Sequence, residues 1–273
     1  MHRDDLSGLE TIRVSWPTDQ IAIATLSRPE HANAMTATMF REFERLADTL
    51  DDDDTVRVLV LTGDPAGRTF CAGYDLAAAN QLAGLSPMAM LELQELAARG
   101  LVAIRQMRIP VIAAVNGAAA GGGLSLALAA DIRLGTPRSK FNAAFTKIGL
   151  SAGDLGASWL LPRYVGPAVA SEVAFTGRQI LAEEAERLGL LNRVVEPDTL
   201  LDAAVEMAGA ICANSPGGVQ LSKRALQANM EIGSYAAALE LENRGQALLT
   251  RTSDMVEALD AFKAKRPPVF TGS

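Results

Sequence analysis

Ile109-Pro-Val-Ile-Ala-Ala-Val-Asn-Gly-Ala-Ala-Ala-Gly-Gly-Gly-Leu-Ser-Leu-Ala-Leu-Ala-Ala130 carries no charge. Its length would allow it to span a bilayer, and Gly117-Ala-Ala-Ala-Gly121 has the small-xxx-small spacing of membrane helix pairs. Pro110, Asn116, Gly117 and the glycine triplet interrupt it, however, and alanine is only weakly apolar. The better reading is a buried strand over Val111–Val115, a tight turn, and a buried helix over Leu124–Ala130. A glycine triplet directly before a helix exposes bare backbone. The first N–H groups of a helix lack internal partners and lie at the positive end of its dipole, so the turn suits an anion or a developing negative charge. It is neither a dinucleotide fingerprint nor a P-loop, because no G-x-G-x-x-G stands here and no Lys-Ser/Thr follows the glycines. Close packing alone is the other explanation for these glycines.

Working outward, Thr11-Ile-Arg-Val-Ser and Ile21-Ala-Ile-Ala-Thr-Leu read as strands, Asn33 to Leu50 as a helix and Val56-Arg-Val-Leu-Val-Leu-Thr as a buried strand. A helix is expected from Ser86 to Met107, ending before Pro110. Ile132-Arg-Leu-Gly is a short strand. Apolar strands alternating with helices predict an α/β fold with a parallel core. Beyond Leu181 the chain turns helical, over Ala182–Leu188, Leu200–Ala213, Pro216–Glu231 and Ser234–Ala264. That shift divides the chain into a core over residues 1–199 and a helical region over 200–273.

The 273 residues include 32 acidic and 25 basic ones, a formal net charge of −7. That balance argues against non-specific nucleic-acid binding, which depends on neutralising phosphates. Cys71 and Cys212 make no disulfide framework, and with only His2 and His31 beside them no zinc-type cluster can be assembled, so no metal is expected. The start, MHRDDLSGLE, has no apolar segment of a secretory signal, and a cytoplasmic setting is expected. Asp51–Asp54 lacks the glycine and terminal glutamate of a calcium loop and reads as a solvated turn.

Other stretches share a pattern with the central one. Leu26-Ser-Arg-Pro-Glu-His-Ala-Asn-Ala-Met35 resembles the "NRPxxxNAL" opening of crotonases, the enoyl-CoA hydratase/isomerase superfamily. Phe70-Cys-Ala-Gly-Tyr-Asp-Leu76 resembles their F-x-A-G-x-D-L/I, and residues 110–123 with Ala130-Asp-Ile resemble their KP-x-IAA-x-NG-x-A-x-GGG … CD. Phe175-Thr-Gly-Arg178, Ala182 to Val195, and Ala261-Phe-Lys-Ala-Lys-Arg-Pro-Pro-Val-Phe270 resemble the later family motifs. The resemblance runs over about residues 10–270.

It implies a crotonase-like spiral of ββα units with a helical C-terminal region that builds a trimer or a dimer of trimers and covers the active site. It also implies an acyl-CoA thioester as substrate, so that coenzyme A enters as part of the substrate and no cofactor is permanently bound. The thioester carbonyl would lie between the backbone N–H groups of Tyr74 and Gly122, an oxyanion hole for an enolate. Arg28, Ala72, Tyr74, Asp75, Leu76, Gly122 and Lys265 are the implied substrate contacts, with Arg28 and Lys265 as candidate phosphate partners.

At the positions of the two hydratase glutamates the resemblance places Ser125 and Phe145, or Thr146 when counted back from Leu161-Pro-Arg. None can act as a carboxylate base, and Ser125 has no histidine or lysine near it in sequence to activate it. Asp154 matches the acid of dienoyl-CoA isomerases and the nucleophile of 4-chlorobenzoyl-CoA dehalogenases. The dehalogenase histidine would fall near Ala98. Asp154 is therefore a candidate catalytic acid–base, or else a helix cap. Three functions are expected to compete: double-bond isomerisation or related single-carboxylate proton transfer, 2-enoyl-CoA hydration as in fatty-acid oxidation, and non-catalytic binding of acyl-CoA or RNA. The net charge and the lack of a Lys/Arg run speak against RNA.

Overall fold

The computed structural model describes residues 3–75 and 84–273, so Leu76 lies outside the described residues. In chain order the first elements are β1 (Ile12–Thr18), β2 (Ile21–Leu26), α1 (Ala37–Asp52), β3 (Val58–Gly63), β4 (Thr69–Cys71) and α2 (Pro87–Gln106). Next come β5 (Val111–Val115), β6 (Ala118–Ala120), α3 (Gly122–Ala129), β7 (Ile132–Gly135), β8 (Lys140–Asn142) and α4 (Ala157–Thr176). The chain ends with β9 (Gln179–Leu181), α5 (Ala182–Arg187), β10 (Arg193–Val194), α6 (Leu200–Cys212), α7 (Pro216–Asn229), α8 (Tyr235–Leu249) and α9 (Ser253–Ala264).

Two sheets result. The larger has the order β1-β2-β3-β5-β7-β10 and is parallel except for the β1 edge. The smaller has the order β4-β6-β8-β9 and is parallel except for β9. The chain steps from the first sheet to the second three times, from β3 to β4, β5 to β6 and β7 to β8, which is the winding of a spiral. The inner strands β2, β3, β5 and β7 of the larger sheet are buried almost throughout, yet their alternation still assigns each side chain to a layer. Leu59 and Leu61 join Phe40, Phe43 and Leu46 of α1 in the main core, while Val58 and Val60 face Leu200, Ala204 and Ala208 of α6. The first helix of the C-terminal region thus covers one face of the sheet.

The segment from Ile109 to Ala130 forms the expected strand (β5) and helix (α3), with the short strand β6 in the turn between them, and among the described residues no helix is long and apolar enough to cross a membrane. Other expectations are corrected. The first helix starts at Ala37 and not at Asn33, capped by the Thr36 side chain, which accepts the Met39 N–H at 3.2 Å. Asn33 is fully buried and spends its amide on the Thr69 and Asp64 carbonyls, which holds it outside the helix. The stretch expected as one helix over Ser234–Ala264 is broken after Leu249, where Thr252 caps a new helix by accepting the Met255 N–H. The three-residue strands β4, β6, β8 and β9 went unread because each is too short to show an alternation.

A polar bond network fastens α7 to the core. Lys223, only 6% exposed, bonds Asp131 and the Ile109 carbonyl, each at 2.8 Å. Asp131 also accepts the Val111 N–H at 2.8 Å, and Gln227 bonds it at 3.2 Å. Burial pulls the Lys223 ammonium down from its ordinary value, and Asp131 pushes it back up. Removing one partner of such a pair leaves a charge uncompensated. Lys223→Met is expected to lower stability by about 3 kcal/mol, read from the urea midpoint, and Asp131→Asn in the same chain should restore part of the loss.

Candidate active site

The site begins where α3 meets the segment after β4. Gly123 packs so close to Cys71 that a Cβ there would overlap the Cys71 carbonyl oxygen. Gly73 has φ +97°, and a Cβ on it would stand 2.7 Å from the Ala120 oxygen and 3.2 Å from the Gly122 nitrogen. Only glycine meets both demands at reasonable cost. The two bare backbones therefore lie against each other.

Gly122 is the first residue of α3, so its N–H has no acceptor within the helix. Tyr74 forms a parallel bridge with Met35, in which Met35 N–H donates to the Gly73 carbonyl at 2.7 Å and Asp75 N–H to the Met35 carbonyl at 2.9 Å. In that pairing the flanking residues make the bonds, and the Tyr74 N–H points away from Met35. The N–H groups of Tyr74 and Gly122 thus lie on adjoining backbone segments.

The surroundings are apolar. A Cβ at Gly122 would meet the Met35 methyl at 2.7 Å and a Leu155 methyl at 3.2 Å, and one at Gly121 would meet the Phe145 ring at 3.7 Å. Phe145 is buried, whereas Thr146 is exposed and its hydroxyl donates to the Ala174 carbonyl at 3.1 Å. Of the two registers open in the sequence, Phe145 is the residue turned toward the glycine turn. Ser125 is fully buried on α3, and its hydroxyl donates to the Asp154 carbonyl at 3.2 Å, which anchors the Asp154 loop to the helix bearing Gly122.

Asp154 does not cap α4. The capping position is Gly156, at φ +82°, and no side chain caps the helix there. The Asp154 carboxylate is half-buried, and burial pushes its pKa above the ordinary value of 3.8, against a smaller lowering by the Leu155 N–H. No cation pairs with it among the described residues. The following residue, Leu155, has φ +47°, a left-handed backbone that is strained for a branched side chain and persists only where the surroundings impose it.

Arg28 and Asp75 face each other at 2.9 Å, both largely buried, and a second Arg28 nitrogen donates to the Ala34 carbonyl at 2.8 Å. Arg28 thus ties Asp75, next to Tyr74, to the backbone of Ala34. The Tyr74 phenol is pushed up by burial first and by Asp75 second. Ala72 is exposed, with its N–H on the Ala32 carbonyl at 3.1 Å. Lys265 is exposed just past α9, at φ +53°, and among the described residues no bond joins it to the Tyr74–Gly122 segments. The sequence reading missed Met35 and Leu155 as walls. Their signals were present, since Met35 closes the first motif and Leu155 follows Asp154.

The model of the family described as enoyl-CoA hydratase/isomerase matches residues 18–273. The chain belongs to this family, the crotonase superfamily. It is 39% identical over 269 residues to a Mycobacterium leprae protein named "Probable enoyl-CoA hydratase echA12", covering 97% of this chain and 91% of that one. It is also 39% identical to the 1,2-epoxyphenylacetyl-CoA isomerase of Escherichia coli K12, covering 91% and 94%. Among solved structures, an enoyl-CoA hydratase from Bacillus anthracis superposes with a TM-score of 0.90 at 31% identity, covering 97% and 100%. As a crotonase, the protein is an enzyme that acts on acyl-CoA thioesters.

The raised Asp154 pKa carries a stability consequence. A carboxyl group whose pKa is higher in the folded than in the unfolded state holds its proton more tightly when folded. Stability is then greatest below the ordinary carboxyl range and falls as pH rises toward the raised value. Asp154→Asn escapes that fall. It is expected to melt higher than the wild type at about pH 7, with the gap closing by about pH 3, as measured by thermal unfolding across pH.

Proposed function

We propose that this crotonase shifts a proton between carbons of an acyl-CoA thioester, as in double-bond isomerisation, with Asp154 as its single acid–base. The carrying observation is Asp154 itself: a half-buried carboxylate with a raised pKa and, among the described residues, no cation paired with it, on a loop bonded through Ser125 to the helix that presents the Gly122 N–H. Asp75, the other acid of the region, is committed to Arg28.

The proposed steps follow from this arrangement. The thioester carbonyl accepts from the Tyr74 and Gly122 N–H groups. Asp154 removes a proton from the carbon between that carbonyl and the double bond of a 3-enoyl group, and the negative charge is shared with the oxygen as a dienolate. Asp154 returns the proton to a different carbon, and the double bond moves with it. One such donor lowers the barrier by about 3 kcal/mol. The Met35, Leu155 and Phe145 walls lower the local polarity, which strengthens these bonds and keeps the carboxylate basic.

Hydration requires an activated water, and the family resemblance places Ser125 and Phe145, or Thr146 in the other register, at the two positions that carry glutamates in hydratases. Ser125 spends its hydroxyl on a backbone carbonyl, and Phe145 has no acid–base group. The names of the relatives include an isomerase and a Clostridium acetobutylicum short-chain-enoyl-CoA hydratase, so they leave the reaction open. The free thiols of Cys71 and Cys212 fit a reducing, cytoplasmic setting. We further propose that the chain associates with itself through its C-terminal helices, where Tyr235 (80%), Phe262 (84%) and Leu226 (71%) stand exposed.

Exchange of solvent deuterium into a 3-enoyl-CoA, followed by mass spectrometry, tests the chemistry. Asp154→Asn is expected to slow exchange by about 10²–10⁴-fold with little effect on binding of a saturated acyl-CoA. Crotonyl-CoA hydration should be slow for both forms. Wild-type exchange rates in the variant would refute Asp154 as the acid–base, and efficient crotonyl-CoA hydration would refute the isomerase reading.

A further inference from the structure

We propose that the cavity beneath the Asp154 loop receives the far end of the acyl group and limits it to a compact apolar group of about six carbons. The inference rests on the reading of Asp154 as the acid–base and names the class of substrate it serves.

The cavity measures about 160 Å³ and lies between the loop that follows β8 and the helix α4. Its floor is buried and apolar, made by Ala143, Ala157, Leu161 and Ala170. Ser158 and Ser171 line it and are exposed, which places its mouth there. Five of the ten lining residues are alanine, and none is charged. The space exists because nothing larger fills it. A valine or leucine in place of Ala157 or Ala170 would recover contacts that a void forfeits. The floor thus keeps open a room that stability alone would close.

The cavity shares its walls with the proposed site. Ala157 donates its N–H to the Asp154 carbonyl at 2.9 Å, and the same carbonyl accepts the Ser125 hydroxyl. Ala152 lies two residues before Asp154 on the same loop. Ala143 starts the helical turn that carries Phe145, whose ring faces Gly121. The chain segments that bring Phe145 and Leu155 to the glycine turn therefore also enclose the cavity.

In the proposed reaction the proton returns to the third carbon beyond the carbonyl. Whatever the acyl group carries past that carbon needs a place close to Asp154, and an apolar tail gains free energy by leaving water. An apolar cavity of about 150 Å³ can hold benzene, so this one suits a ring or a branched tail of similar bulk. A long straight chain would leave most of its length outside. A tail ending in a charge would find no partner among the lining residues.

Calorimetric binding of saturated thioesters to the full-length protein tests this. Butanoyl-CoA ends at the last carbon that Asp154 would serve, and 4-phenylbutanoyl-CoA adds a ring there. The ring is expected to tighten binding at least about tenfold. Ala170→Leu narrows the floor, and Ala174→Leu fills the space nearer the mouth. Each should weaken the phenyl ligand at least about tenfold more than butanoyl-CoA and melt no lower than wild type. Dodecanoyl-CoA should bind the wild type no more tightly than the phenyl ligand. Equal affinity of the wild type for butanoyl-CoA and 4-phenylbutanoyl-CoA would overturn the proposal, as would a ring preference that survives both variants. An equal loss for both ligands would mean that the alanines support the loop and do not receive the acyl group. Tighter binding of dodecanoyl-CoA would overturn the size limit. Saturated ligands undergo no double-bond shift, so a failure here and a failure of Asp154 as the acid–base are read separately.

Discussion

Everything in this molecule that bears on chemistry depends on how closely two stretches of backbone approach each other. The carbonyl of Cys71 lies where a side chain on residue 123 would begin, and Gly73 lies against the Gly122 nitrogen. Amide donors can converge on one point only if the chains that carry them lie side by side, and side chains prevent that. The two-sheet spiral serves this end. β4 delivers the first segment and β6 the second, and these strands are paired in parallel, so the loops beyond them leave from the same edge. Even a single methyl group at Gly123 would have to push β4 and α3 apart. The donors would separate with them, with no change in the identity of any chemical group.

The apolar lining follows from the same closeness. Met35 and Leu155 reach Gly122 because nothing stands between them and the backbone. Their contact gives the amides a medium in which a hydrogen bond to a charged oxygen counts for more than it would in water. The same medium disfavours the ionised form of Asp154. One physical cause thus acts on both halves of the proposed proton transfer, strengthening the bonds to the enolate and raising the basicity of the group that makes it.

Much of this was legible in the sequence, because glycine patterns report backbone approach directly. The triplet Gly121–Gly123 and the Ala72-Gly73 pair mark the places where chains touch, and the apolar runs of β3 and β5 mark a sheet covered on both faces. What was not legible depends on distant partners. Asn33 reads as the start of a helix until its amide is seen to bond Thr69 and Asp64, residues from another part of the chain. Arg28 reads as a candidate phosphate partner, yet its charge is matched by Asp75, far off in sequence. The smaller sheet escaped notice because three residues per strand show no period.

Asp154 shows how a local rule can mislead. An aspartate shortly before a helix suggests a cap, since its oxygens can accept the free N–H groups of the first turn. Here the chain turns through Leu155 and Gly156, both with positive φ, before α4 begins. These two residues displace Asp154 from the capping position. The strain at Leu155 is of the order of 1–3 kcal/mol, and α4 also forgoes a side-chain cap, typically worth about 1 kcal/mol. A helix that needed only stability would be better served by a capping aspartate and a relaxed turn. The turn instead sets Leu155 against Gly122 and leaves Asp154 without a paired cation among the described residues, and both outcomes suit the proposed proton transfer.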